Sequence, residues 1–304
     1  MSMRYSAGFI SAFYDPLKNP DAPTIGTATA GNTTASVTFT APSNVGGGAI
    51  SGFTVVSSPS GITGTGASSP VTVSGLSNGT AYTFKVFATN SYGPSVLSAA
   101  SNSVTPAMAI GDAFGGGFYA GQIGVSSVAT HYLVVGPVAS AESGAALQWK
   151  NANTATAGAD SDIDGPQNTA DIVADGNSTV YPAAHFCNDL VIGGFSDWYL
   201  PAKNELEVCY FNLKPTTTTN NTSSGINPNA VPARASNYTS GNPAQTSVTN
   251  FRDTGAEDFQ PAEYWSSTEN SATNTKYQAF FNGGQYIGGK GYSNRVRAIR
   301  RVAV

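Results

Sequence analysis

From Ala22 to Pro106 the chain alternates between apolar and polar residues. The runs are "ASVTFTAP", "ISGFTVVSS", "SPVTVSGL", "AYTFKVFATN" and "SNSVTP". A period of two sends successive side chains to opposite faces of a strand. Gly, Pro, Asn and Ser separate the runs at roughly 8–15 residues, the spacing of a small antiparallel β-sandwich. No helical period intervenes. After Ala107 the pattern breaks up. Helices are predicted at about Tyr181–Leu190, through "AAHFCNDL", and Lys203–Leu213, through "KNELEVCYF". The remainder reads as short strands and loops. The stretch from Thr216 to Thr249, rich in Thr, Asn, Ser and Pro, reads as a long surface insertion outside the core. The last stretch, Tyr264 to Val304, has strand-like ends and a middle of Asn, Ser, Thr, Gly and Tyr.

Before the sandwich, "YSAGFISAFY" alternates like one strand or an extended arm and runs into the Pro-rich "YDPLKNPDAP". An arm of that length needs a neighbour to pair with. Three parts are therefore expected: an anchoring arm and linker over 1–22, a sandwich over 23–106 and a third domain over 107–304.

Composition sharpens this picture. Only 11% of the 304 residues are charged, against about 25% in ordinary globular chains. Hydroxyls and amides replace Lys and Glu, which suits β-rich surfaces. The net charge is −4, so no footprint for a phosphate backbone is visible and no nucleic-acid partner is expected. The one basic run, "RVRAIRR" from Arg295 to Arg301, reads as a strand with Arg on its wet face or in salt bridges. The N-terminus lacks the continuous apolar stretch of a signal peptide. No run reaches the roughly 18 apolar residues that span a bilayer, and no membrane insertion is expected. Synthesis in a host cytoplasm with extracellular surface chemistry fits a virion component exposed after release. Cys187 and Cys209 are too few for a disulfide framework and read as buried free thiols, with a bridge between the helices as the alternative.

Catalytic motifs are scarce. "DSDIDGPQNTAD" places Asp160, Asp162 and Asp164 before Gly165, with Asp171 at the twelfth position. That is a candidate calcium loop, although Asp stands where a bidentate Glu is usual and no helix precedes it. The competing reading is an Asx-rich turn. No other cofactor is expected. His131 and His185 stand apart without zinc spacing. Glu205 and Glu207 flank Leu206 and cannot face one way. No carboxylate pair is singled out for glycoside hydrolysis, and "GDAFGGGF" reads as a turn.

"GLSNGTAYTFKVFATNSYGPS", Gly75 to Ser95, resembles the fibronectin type III family. Leu76, Gly79, Thr80 and Tyr82 match the turn carrying its tyrosine corner, and Phe39 stands where the family often has Trp. The resemblance implies a spacer or binding module. "LQW", "DGPQNT", "AAHFCNDL", "GGFSDWYLPAKNEL", "EYWSSTEN" and "NRVRAIRRV" form an ordered set. It resembles the unknown-function domain at the C-terminus of Legionella collagen-like proteins. Trp198, Leu200, Pro201, Glu205, Leu206, Trp265, Ser266 and Ser267 match motif positions. The resemblance implies a C-type lectin-like fold, with Trp198 and Trp265 as core anchors and Pro201 near the start of the second helix. The fold class is therefore mostly β and multidomain: a fibronectin type III sandwich plus an α+β C-type lectin-like domain.

The terminal frame is also similar to the variable region of retroelement-diversified phage receptor-binding proteins. That likeness implies display positions at Asn270, Thr273, Asn274, Tyr277, Asn282, Gln285, Tyr286, Tyr292 and Asn294. The expected function is a phage tail or tail-fibre protein, not an enzyme, that binds a host-surface glycan or protein. It would form a homo-oligomer, with the arm holding other virion proteins. The alternatives are a decoration protein without a receptor and a polysaccharide hydrolase.

Overall fold

The computed structural model describes residues 17–304. Most of the expected anchoring arm, residues 1–16, falls outside the described residues. The chain forms two compact units that divide between Ala109 and Ile110.

Among the described residues, the first unit contains seven strands: β1 (Thr24–Ala30), β2 (Thr34–Thr40), β3 (Gly52–Ser58), β4 (Thr63–Gly66), β5 (Val71–Ser74), β6 (Thr83–Asn90) and β7 (Gly93–Pro94). They make one sheet of order β1-β2-β5 and a second of order β4-β3-β6-β7. Every pairing is antiparallel. The alternation read from the sequence decides which side chains go inside. Ala35, Val37 and Phe39 of β2, Phe53 and Val55 of β3, and Phe84, Val86 and Ala88 of β6 are all buried. Each large apolar side chain so placed contributes about 1.5–3 kcal/mol. Phe39 packs on Phe53 with ring centroids 4.7 Å apart. The Tyr82 hydroxyl accepts the Ser77 N–H at 3.2 Å, closing the tyrosine corner beside buried Leu76.

The final run of this unit differs from the expected alternating strand. Its contacts to β6 and the preceding Tyr82 come every third residue. The N–H groups of Ser95, Ser98, Ser101 and Val104 donate to Ala88, Val86, Phe84 and Tyr82 in turn. The hydroxyls of Ser95, Ser98 and Ser101 accept the N–H groups of Ala88, Val86 and Phe84. Serine oxygens here replace the carbonyls that a regular strand would supply.

The second unit contains β8 (Ala113–Phe114), β9 (Gly117–Val125), β10 (Val128–Val135), α1 (Val138–Ala141), β11 (Leu147–Gln148), α2 (Gly165–Asp175), α3 (Pro182–Asn188), α4 (Lys203–Leu213), β12 (Glu263–Glu269), β13 (Asn274–Ala279), β14 (Gln285–Gly289), β15 (Ser293–Asn294) and β16 (Ile299–Ala303). A sheet of order β16-β10-β9-β8 pairs the last strand with the first ones, so the unit closes on itself. A second sheet has the order β12-β13-β14, and β11 pairs with β15. With the sandwich, this makes a mostly β chain whose second unit is α+β. Among the described residues, no helix is long and apolar enough to cross a membrane.

Three tryptophans anchor this unit, each nearly fully buried. Trp149 Nε1 donates to the Ser266 carbonyl and Trp265 Nε1 to the Leu147 carbonyl, both at 2.8 Å. This reciprocal pair clips "LQW" to "WSS". Trp198 packs in the same cluster and donates to the Phe195 carbonyl.

Three expectations change. The "DGPQNTAD" run is a helix, α2, where a loop was read. Asp164 caps it by accepting the Gln167 N–H, and Pro166 sits in the first turn, both ordinary helix-start signals. Pro201 lies just before the N-cap residue Ala202, outside the helix that it was expected to open. Glu205 caps α4 instead, accepting the Ala202 N–H at 2.8 Å. The segment 216–249 is not outside the core: Ala230 and Tyr238 join the main apolar cluster. Asn227, Arg234 and Tyr238 from this segment all bond to the fully buried Glu207 of α4. A buried carboxylate needs such donors, and the segment wraps α4 to supply them.

The basic run is consumed by ion pairs. Arg295 and Arg297 reach Glu142, Arg297 also reaches Glu257, Arg300 reaches Asp197, and Arg301 reaches Glu205. Cys187 and Cys209 are free and buried in separate clusters. Burial pushes both thiols above the ordinary cysteine range.

Candidate functional site

The site grows from the register of β12, β13 and β14. Trp265 pairs with Tyr277, and Tyr277 with Tyr286. Directly opposed residues in an antiparallel sheet share a face, so the three rings form a row. Trp265 and Tyr277 meet edge to face with centroids 5.6 Å apart. Tyr277 and Tyr286 are also 5.6 Å apart, tilted. The row passes from buried to wet: Trp265 is 1% exposed and Tyr286 38%. The frame holds the first ring, and the solvent meets the last.

Two glycines lie against the rings, and Gly288 makes room for Tyr277. A Cβ on Gly288 would lie 2.9 Å from the Tyr277 ring, and one on Gly289 would touch Tyr292 at 3.6 Å. Tyr292 itself is 69% exposed. Burial raises the Tyr277 hydroxyl above the ordinary tyrosine value, and the nearby Glu263, Tyr286 and Tyr292 push the same way. The three tyrosines thus form one cluster. Tyr286 is fixed from outside the segment: Asn221 Nδ2 donates to its hydroxyl at 3.0 Å.

Beside the rings lies a cavity of about 160 Å³ lined by Lys203, Lys276, Tyr277, Gln285, Tyr286 and Ile287. Lys276 and Lys203 share one carboxylate, Asp162, at 2.8 and 3.8 Å. The cavity is large enough for one side chain or one sugar ring. It offers amide, ammonium and aromatic groups, the components of a recognition surface. It holds no nucleophile–base pair.

The expected display positions divide. Tyr277, Gln285, Tyr286 and Tyr292 gather at this face. Asn270 and Thr273 are exposed in the β12–β13 turn. Asn270 lines a second cavity of about 320 Å³ with Asp160, Glu269 and Ser271. Asn274 is half-buried at the start of β13. Asn282 serves the β13–β14 turn, where its Oδ1 accepts the Gly284 N–H at 2.9 Å. Asn294 is not displayed: it is 8% exposed in β15, opposite Leu147. Lys203, Asn221 and Ile287 join the face without having been foreseen. Asn221 lies 65 positions from Tyr286, and no local pattern signals such a pairing.

The four aspartates of the candidate calcium loop are dispersed. Asp162 pairs with the two lysines, Asp164 caps α2 and approaches Arg301, and Asp171 accepts Gln167 Nε2 on α2. A helix beginning at Gly165 carries Asp171 away from the turn that a cation loop requires. Among the described residues, no group of three or more His, Cys, Asp or Glu converges on a possible metal position. His131 Nδ1 contacts Thr130, and His185 Nε2 contacts the Gly176 carbonyl.

A family model described as the Lcl C-terminal domain matches residues 141–300, just over half of the chain. The chain belongs to the Lcl C-terminal domain family. A fibronectin type III domain model matches residues 21–104. The Lcl C-terminal domain thus follows a fibronectin type III domain, and both are binding-type modules of an adhesion-like protein. No curated protein matches the chain. Solved structures similar to it include a crystal structure of titin domains, with 24% identity over 29% of this chain and 32% of that one, and a TM-score of 0.27. The twitchin kinase region from C. elegans matches at 20% identity over 29% of this chain and 17% of that one, with a TM-score of 0.27. A titin module from human cardiac muscle matches at 28% identity over 29% of this chain and 91% of that one, with a TM-score of 0.24. The chain thus spans a third or less of the first two structures.

Proposed function

We propose that this chain is a phage tail or tail-fibre protein whose Lcl C-terminal domain attaches the virion to a host-surface glycan or protein. The observation that carries the reading is the row from Trp265 through Tyr277 to Tyr286, with Tyr292 beside it. A fully buried frame ends in wet, pre-positioned tyrosines. Tyr gives contact area at a low entropy cost, and neighbouring Asn, Ser and Gly adapt their hydrogen bonds. The sandwich acts as a spacer. The N-terminal arm holds the protein to other virion components, and subunits assemble as a homo-oligomer.

The test is host adsorption by virions carrying Tyr286→Ala with Tyr292→Ala. Tyr277 is left intact because it packs on Trp265 and its loss would disturb the frame. Adsorption should fall by at least tenfold, the effect of about 1.4 kcal/mol. Unchanged adsorption by correctly assembled virions would sink the reading.

A further inference from the structure

We propose that the recognition face is composite: the insertion turn 220–225 forms its second half, and Asn221 is the positioning residue that fixes Tyr286. The consequence for recognition rests on the attachment reading above, while the positioning itself rests on geometry alone.

β14 is the edge of its sheet, and an edge strand is normally the least constrained part of a sheet. Here the insertion turn is stitched along it. The Asn221 N–H donates to the Asn282 carbonyl at 2.8 Å. The Gln285 N–H donates to Ser224 Oγ at 3.0 Å, and the Gly225 N–H to Gln285 Oε1 at 3.3 Å. Asn221 is held at both ends of its amide. Its Oδ1 accepts the Ser223 N–H at 2.9 Å, and its Nδ2 donates to the Tyr286 hydroxyl at 3.0 Å. The amide therefore has one orientation, and that orientation places the phenol. Gly225 has φ 113°, and a Cβ there would lie 2.3 Å from the Tyr238 ring. The turn can approach the core only because that residue is glycine.

The base of the turn is clamped by a buried cation. Lys214 is 2% exposed. Its Nζ donates to the Thr218 carbonyl at 2.6 Å, to Asn220 Oδ1 at 2.7 Å and to the Pro243 carbonyl at 3.3 Å. None of these partners is a carboxylate. Tyr210 donates to the same Asn220 oxygen at 2.7 Å, and Asn220 Nδ2 donates to the Thr239 and Pro243 carbonyls. Lys214 is the C-cap of α4, where a positive charge is favoured. A continuous path thus runs from α4 through Lys214 and Asn220 to Asn221 and Tyr286. Thr222, Ser223 and Ile226 are exposed beside it and extend the surface that Tyr286 and Ile287 begin. Substitutions in this turn would change specificity without touching the C-terminal segment.

The experiment uses the full chain labelled with fluorotyrosine, with Tyr286 assigned through Tyr286→Phe. In Asn221→Ala the Tyr286 fluorine resonance should move and change width, while that of Tyr292 stays in place. An unchanged Tyr286 resonance overturns the proposal. The second arm is an array of purified bacterial lipopolysaccharides and capsular polysaccharides. On any spot that binds the wild type, Asn221→Ala and Tyr286→Phe should each weaken binding about fivefold, the worth of one hydrogen bond. The double variant should be no weaker than either single one. Additive losses would mean that Asn221 touches the receptor itself, which also overturns the proposal. Binding that survives Tyr286→Ala would remove the attachment reading and leave the fluorine result to decide the positioning.

Discussion

The interiors of the two units are built in opposite ways. The sandwich cluster is wholly apolar, from Ala28 to Ala88. Its buried polar residues are small or neutral, such as Ser57, Asn90 and Ser98. The interior of the second unit holds Glu205, Glu207, Lys290 and Arg297 at 1% exposure or less, with Lys150 and Lys214 at 3% and 2%. The reason lies in the backbone. Paired strands satisfy their own N–H and C=O groups. The second unit buries stretches of irregular backbone, such as those around Thr156, Asn220 and Ser224, and buried loop carbonyls need donors. Its buried cations provide them. Lys150 and Lys290 both reach the Thr154 carbonyl, Lys214 reaches Thr218 and Pro243, and Arg297 reaches Gly136 and Asp258. A chain with few charges thus spends several of them inside, where they fix irregular backbone and let a loop-built face keep one shape.

Breaking that network should cost the most. Glu207→Ala removes the acceptor shared by Asn227, Arg234 and Tyr238 and leaves a guanidinium facing a hole. Stranding one partner of a buried pair costs about 3–5 kcal/mol. Calorimetry should show the transition of residues 110–304 moving down while that of the sandwich stays. A shift in both transitions, or in neither, would contradict this division of roles. A polar change in the sandwich should cost less. Ser98→Ala removes the oxygen that accepts the Val86 N–H at 3.0 Å. One unpaired buried donor costs about 1–3 kcal/mol, and here only the sandwich transition should move.

The same contrast explains what could be read in advance. Alternation in "AYTFKVFATN" placed Phe84, Val86 and Ala88 inside because burial follows a period of two. The roles of Trp198 and Trp265 followed from the family motifs. In the terminal segment polar composition did not mark exposure residue by residue: Tyr286 and Tyr292 are exposed, but Thr275, Gln278 and Lys290 are buried and Asn294 pairs with Leu147. The insertion was misread because polar composition signals surface only when the polar groups lack partners. Asn227 finds Glu207, and Asn221 finds Tyr286, across separations of 20 and 65 positions. The aspartate run leads into a helix for a related reason: Asp164 and Pro166 are equally helix-start signals, which a reading of the run as a loop or an Asx-rich turn passes over.

The smallest effect separates a buried network from a pair at its rim. Arg300 is nearly buried, stacked 3.9 Å over the Phe195 ring, and forks onto Asp197 with two bonds of 2.8 Å. The carboxylate side chain is 56% exposed. The Arg300 hydrogen bonds are the main cause holding Asp197 below its ordinary value of 3.8. A depressed folded-state value means that the stabilisation is present above the ordinary aspartate range and is lost as pH falls through the folded value. Solvent screening keeps it under about 1 kcal/mol. Asp197→Asn should therefore lower the melting temperature of the second unit slightly at neutral pH, and the gap from the wild type should close below about pH 4. A gap that stays constant down to about pH 2 would show that the asparagine disturbs packing and not charge.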